Sequence, residues 1–198
     1  MAYYNAVLLI SITIFIAFIA QIIIPNFTES LYFLPSNAIN EPWRFITSIF
    51  LHAGFLHLFL NLYAFILFGS ILEKRVGPIE IIKIFLLSGI SGSLFYYLAT
   101  LLNINPGLPA LGASGAVFGI MGATAVFFPN LVIFIWFMPM RMKQAVIFWF
   151  ILEFLSTFNI NSGIASAAHL GGLVIGYLYA KYIIKKQSSE WWVSIAMK

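Results

Sequence analysis

The sequence predicts an all-α, polytopic membrane protein built as a bundle of six transmembrane helices. Three observations carry this. Of the 198 residues, 62% are apolar and only 8% are charged, against about 25% charged in an ordinary soluble domain. So little charge cannot coat a water-facing surface. The apolar residues also come in runs near the length that crosses roughly 30 Å of hydrocarbon at about 1.5 Å per helical residue. Finally, the basic residues sit in short clusters at the ends of those runs, where topology signals lie.

Taken in order, the runs predict spans over 5–24, 56–73, 79–102, 114–128, 143–158 and 167–184, to within about four residues. The N-terminal MAYYNAVLLI has no basic lead-in, so its apolar run is expected to stay as a helix rather than act as a cleaved signal. Residues 25–55, with Pro25, Pro35, Pro42, Trp43 and Arg44, are too mixed to span. Their Phe, Leu and Trp content suits the membrane interface. Between spans four and five, LVIFIWFMPM is apolar, but the break at Pro129-Asn130 and the charges Arg141 and Lys143 favour a short fourth helix and a partly embedded connection. The tail WWVSIAMK either lies along the interface or hangs free. No repeat or linker divides the chain, which predicts one domain over 1–198, with a tail from 185 onward.

An even number of spans puts both termini on one side. That side receives Lys74, Arg75, Lys83, Arg141, Lys143, Lys181, Lys185, Lys186 and Lys198, leaving only Arg44 of the ten basic residues opposite. The bias predicts cytoplasmic termini in the cell membrane. The net charge of +4 is thus topological and predicts no nucleic-acid partner. With no Cys in the chain, thiolate metal sites and a cysteine nucleophile are excluded.

Polar side chains are costly in hydrocarbon, so each one calls for a reason. Spans two, four and six run in the same direction, which brings the starts of all three to one depth. His57, Asn61, Ser114 and His169 lie at those starts. His57 and Asn61 are one turn apart, about 40° around the helix, and both can donate hydrogen bonds. They are either interhelical glue or donors to a reacting oxygen. Ser114, in Leu111-Gly112-Ala113-Ser114-Gly115, is either a helix N-cap or a nucleophile whose oxyanion is favoured by the helix start. Gly115, Gly119 and Gly122 on span four, with Gly172 and Gly176 on span six, predict a close crossing. Such a crossing brings Ser114 within reach of His169, as a nucleophile and its base require. Phe118, one turn after Ser114, is either an apolar wall against the imidazole or plain core.

The chain contains no Asp, so a Ser-His-Asp triad is impossible. Glu73 lies sixteen residues of helix, about 24 Å, from His57. Glu153 in mid-span either orients another group or is a buried, protonated structural carboxyl, and the second reading is favoured. The expectation is a Ser114/His169 dyad in which packing, not a carboxylate, orients the histidine. Chemistry by a pair of Asp is impossible, and the HExxH zinc motif is absent. A three-histidine metal site is disfavoured because His52 and His57 point about 140° apart, so no metal and no cofactor are expected. A transporter would instead show inverted repeats around a midplane site.

Together, several elements in order resemble the rhomboid family over nearly the whole chain. They are Trp43-Arg44 in the first loop, His52 with HxxxN from His57 to Asn61, Glu73 ending span two, GxSG from Gly112 to Gly115, and AHxxGxxxG from Ala168 to Gly176. The resemblance implies a six-helix core and cleavage of transmembrane helices of other membrane proteins within the lipid bilayer. It also implies a Ser114/His169 dyad, with oxyanion help from His57, Asn61 and the Ser114 amide, and with His52 and Gly112 in support. Phe118 departs from the family pattern, where many members have Tyr; the stacking surface is kept and a hydroxyl is lost. A client-binding relative without catalysis would be expected to lack Ser114 or His169.

Overall fold

The computed structural model describes residues 5–135, 137–159 and 165–184. Eight α-helices and one β-hairpin lie among them. Helix α1 is Ala6–Ile23, α4 is Phe55–Val76, α5 is Pro78–Leu101, α6 is Ser114–Phe127, α7 is Met142–Thr157 and α8 is Ser166–Tyr179. A wider turn over Ala180–Ile184 extends α8. Two short helices, α2 (Phe27–Leu31) and α3 (Arg44–Thr47), fall in the connection after α1.

Four of these helices, α1, α4, α5 and α8 with its extension, are long and apolar enough to cross a membrane. The expected fourth and fifth spans are shorter, with 14 residues in α6 and 16 in α7. The protein is a mostly helical, multi-pass membrane protein. Its outward faces agree, since Ile16, Ile22 and Ile23 on α1 and Phe55 and Leu56 on α4 lie at the surface. Such faces suit lipid, not water. The expectation for the WWVSIAMK tail falls on residues outside the described ones.

Helix ends follow local chemistry. Asn5 caps α1 by accepting from the Leu8 amide at 2.8 Å. Gly77, at φ +86°, ends α4, and Pro78 opens α5; a left-handed residue followed by a proline stops one helix and starts the next. Lys74 and Arg75 sit in the last turn of α4, where the helix dipole favours cations.

The centre of the bundle is α5, α6 and α8, packed backbone to backbone. A Cβ on Gly172 would collide with the Gly115 carbonyl, one on Gly176 with the Gly119 backbone, and one on Gly122 would lie 2.6 Å from the Leu173 carbonyl. On α5, a Cβ on Gly92 would likewise stand 2.8 Å from the Ala168 carbonyl. The predicted crossing of the two glycine-bearing helices is therefore found. Phe65, Phe85, Ile81, Ile84, Leu72 and Ile120 fill the fully buried core beside it.

The segment between α6 and α7 is more ordered than the sequence suggests. Strands β1 (Val132–Ile135) and β2 (Met138–Arg141) pair antiparallel, Val132 opposite Arg141 and Ile135 opposite Met138. The connection after α1 is held by Arg44. Its Nη1 donates to the Glu29 and Tyr32 carbonyls at 2.8 and 2.7 Å, and its Nε to Glu41 Oε2 at 2.7 Å. A two-residue bridge, Phe33 with Ala110, ties this connection to the one before α6.

Candidate active site

Ser114 is the first residue of α6, and the N-cap position belongs to Ala113, which makes no side-chain cap bond. The serine hydroxyl is therefore free of capping duty. It lies 2.8 Å from His169 Nε2. The contact follows from the glycines: α6 and α8 touch through Gly115 and Gly172, one residue after Ser114 and three after His169. Residues at that spacing bring both side chains to the same end of the crossing. Phe118, one turn along α6, stacks on the His169 ring, with centroids 4.6 Å apart and planes at 10°.

The backbone before Ser114 is shaped for the same end. Gly112 has φ +130°, in the region that favours glycine, and its amide donates to the Ser48 carbonyl at 2.9 Å. A Cβ at Gly112 would stand 2.9 Å from His57 Nε2 and 3.7 Å from Ser114 Oγ. The missing side chain thus leaves a small space between the imidazole of His57 and the serine hydroxyl. His57 Nδ1 accepts from the Ala53 amide at 3.3 Å, so in the neutral ring the proton is on Nε2, the nitrogen that faces this space. The first amides of α6 also lack intrahelical acceptors.

Asn61 is buried and spends one amide hydrogen on the His57 carbonyl, at 2.9 Å. It lines the same cavity as Ser114, His57 and His169, a space of about 1090 Å³ that continues past Trp149 of α7 to the hairpin. His52 sits behind His57, ring centroids 5.1 Å apart, and does not reach Ser114. Burial, with the charge of His57 second, pushes its ring down to about 4 from the ordinary 6.5. Its backbone is clamped by the Gln21 side chain, which accepts from the His52 amide at 2.9 Å and donates to its carbonyl at 3.1 Å.

A carboxylate also stands near the ring that packing was expected to orient: Glu153 Oε1 of α7 lies 3.0 Å from His169 Nδ1. The contact has ion-pair distance but is oblique to the ring N–H, and it does not make an aligned hydrogen bond. Sequence position alone hid it, because nothing in the spacing fixes which face of α7 meets α8.

The remaining motif residues stand elsewhere. Arg44 braces its loop and Trp43 is half exposed. Glu73 is at the opposite end of the bundle, where its Oε1 accepts from the Ala6 amide at 2.6 Å, joining the end of α4 to the start of α1. Gly115, Gly172 and Gly176 serve the helix crossing. Gln21 was missed, although a lone amide within an apolar run is itself a signal. Also missed was a network in which Tyr179 donates to Glu80 at 2.9 Å and Lys83 pairs with Glu80 at 2.7 Å. Among the described residues no group of three or more His, Asp or Glu is placed to hold a metal ion.

Comparison with known proteins identifies a family. Residues 39–186 match the family model described as "Rhomboid domain". "RHOMBOID-like protein 6, mitochondrial" of Arabidopsis thaliana is 33% identical over 153 residues, 77% of this chain and 47% of that protein. "Putative rhomboid protease YdcA" of Bacillus subtilis is 34% identical over 156 residues, 78% of this chain and 73% of that protein. "Inactive RHOMBOID-like protein 8" of Arabidopsis thaliana is 44% identical over 84 residues, 42% of this chain and 22% of that protein. The chain thus spans about half or less of the length of the two Arabidopsis relatives. With a family model covering 39–186 and a relative matched over most of both lengths, the chain belongs to the rhomboid family.

Proposed function

We propose that this chain is an intramembrane serine endopeptidase that cuts in or near the transmembrane helices of other membrane proteins. The observation that carries the reading is the 2.8 Å contact between Ser114 Oγ and His169 Nε2 on the wall of a cavity large enough for a peptide segment. In this reading α1, α4, α5, α6, α7 and α8 are six spans of one domain. Both termini are cytoplasmic in the cell membrane, because nine of the ten basic residues then lie inside.

The reaction follows from the groups present. His169 Nε2 takes the Ser114 proton as Oγ attacks the substrate carbonyl. The oxyanion that forms enters the space beside Gly112, where His57 Nε2–H and the α6 amides can donate to it; Asn61 contributes its second amide hydrogen. His169 then returns the proton to the leaving amine. Water, activated by the same histidine, releases the acyl group. Phe118 stacks on the ring and keeps its plane while the proton moves. Substrate helices hide their carbonyls in backbone hydrogen bonds, so segments that unwind easily near the site are preferred.

A relative bearing the word inactive makes client binding without cleavage the second reading. Incubation of purified protein with a labelled transmembrane substrate separates the two. The wild type should cut, and Ser114→Ala and His169→Ala should not. Clear turnover by Ser114→Ala, with contamination excluded, would remove Ser114 as nucleophile; no turnover by the wild type across several substrates would favour binding.

A further inference from the structure

We propose that Glu153 is the positioning residue of His169, holding its ring with Nδ1 protonated and Nε2 turned toward Ser114. The inference rests on the Ser114/His169 reading and extends it.

For Nε2 to accept the Ser114 proton, a neutral His169 must carry its hydrogen on Nδ1, and which nitrogen carries it is set by what the other one meets. Stacking on Phe118 fixes the plane of the ring. It does not choose the tautomer, because both tautomers stack equally well. Only an acceptor at Nδ1 makes that choice. Among the described residues the group at hand is Glu153 Oε1, 3.0 Å away, with both side chains largely out of contact with solvent, at 12% and 17% exposure. The present contact is oblique. Hydrogen bonds of this kind are often misaligned in a free enzyme and tighten when substrate is bound.

The Ser166 hydroxyl, at the start of the same helix as His169, also interacts with the Glu153 carboxyl, although neither Glu153 Oε2 nor Ser166 Oγ makes an aligned hydrogen bond among the described residues. A hydroxyl does not neutralise a charge, and a carboxylate in an apolar span is costly unless it meets a cation. The imidazolium that forms when His169 takes the serine proton is that cation. Of the other groups nearby, His57 of α4 is a second histidine whose charge would oppose the imidazolium, Phe118 of α6 stacks on the ring without charge, and α5 meets α8 at Ala168 and Gly171 through the uncharged Gly92 and Phe95.

A protonated Glu153 would act oppositely. It would donate to Nδ1, force the hydrogen onto Nε2, and leave His169 unable to accept from Ser114. Replacing Glu153 would then speed the reaction or leave it unchanged. The two states of one side chain thus predict opposite signs.

The test is the rate at which the full chain in detergent is labelled by a fluorophosphonate, in which Ser114 Oγ bonds to phosphorus, fluoride leaves and His169 takes the proton. This probe needs no knowledge of the natural substrate. Rates are measured against pH for the wild type, Glu153→Gln, Glu153→Ala and Glu153→Asp, with Glu80→Gln as a charge-removing control at the other end of α8. Glu153→Gln and Glu153→Ala should fall by about 10- to 100-fold, the scale of losing the carboxylate behind a metal-bound histidine. The acid limb of the profile should move to lower pH, since the imidazolium loses its counter-charge. Glu153→Asp should recover part of the rate, and Glu80→Gln should match the wild type.

The position of the acid limb belongs to the folded fraction, so partial unfolding reduces amplitude without moving it. Unchanged limbs in both Glu153→Gln and Glu153→Ala, whatever their amplitude, would overturn the proposal, as would faster labelling. If instead Ser114→Ala still labels, or His169→Ala labels like the wild type, the underlying serine-histidine reading fails, and Glu153 falls with it for a different and visible reason.

Discussion

Two helices that line the same cavity are held in contrasting ways. Helix α6 buries ten of its 14 residues and meets α8 through glycine backbones. Helix α7 buries three of 16, Met142, Ala145 and Val146, all at the end nearest the hairpin, while Ile147, Ile151 and Leu155 are exposed. Close packing without side-chain slack has two discrete outcomes, fit or clash, so α6 and α8 set the Ser114–His169 distance rigidly. The α7 wall rests on fewer buried residues, and it is the wall that carries Glu153. The difference teaches where to look: the proposed Ser114/His169 pair is held by backbone contact, and its proposed tuning comes from the less buried side.

Substitution at the rigid crossing should have the largest effect. In Gly172→Ala the new Cβ must push against the Gly115 carbonyl, and overpacking of this kind costs about 1 to 3 kcal/mol or more. We expect a lowered melting midpoint in detergent together with loss of serine labelling, because the same shift parts Ser114 from His169. A Gly172→Ala protein with wild-type midpoint and labelling would break the contrast.

Arg44→Ala comes next. It removes three hydrogen bonds from a buried guanidinium, and bonds to charged groups are worth about 1.5 to 3 kcal/mol each. A net loss of about 2 kcal/mol is expected in thermal unfolding, with Ser114 labelling at low temperature kept, since Arg44 does not touch the site. Loss of labelling in a still-folded variant would show that the loop, too, sets the pair.

A smaller effect should appear with pH. His52 has its folded value lowered to about 4 by burial first and His57 second, so the unfolded chain binds more protons than the folded one between about 6.5 and 4. The stability linked to His52 is complete above about pH 6.5 and is lost as pH falls toward 4. The drop in melting midpoint over that interval should be shallower in His52→Gln. An equal slope in the variant would assign the acid sensitivity to other groups.

Least of all should Ile151→Ala matter. Its side chain is on the exposed face of α7, and a surface change there should stay within about 0.5 kcal/mol. A large loss of stability would mean that α7 is held as firmly as α6.

The sequence was legible where the physics is local. Each expected span has a helix within a few residues of its forecast ends, because apolar runs, Pro78 and Gly77 mark them directly. The approach of Ser114 to His169 and the glycine crossing beside them could be expected, because the spacing of small residues on the two apolar runs forecasts it. Tertiary choices stayed hidden. The hairpin over Val132–Arg141 was concealed by a continuous apolar run without Asn-Gly or Asp-Gly, the usual turn signal. The partner of Glu153 depends on the rotation of α7 against α8, and the bond from Asn61 to its own helix depends on a rotamer. Neither leaves a trace in spacing.

The central claim is that His169 activates Ser114, and its most direct test is to locate a fluorophosphonate adduct by mass spectrometry in the wild type and in His169→Ala. The account predicts a single adduct on the peptide containing Ser114, reduced at least about 100-fold when the base is removed. An adduct on another residue, or equal labelling of Ser114 without His169, would contradict it.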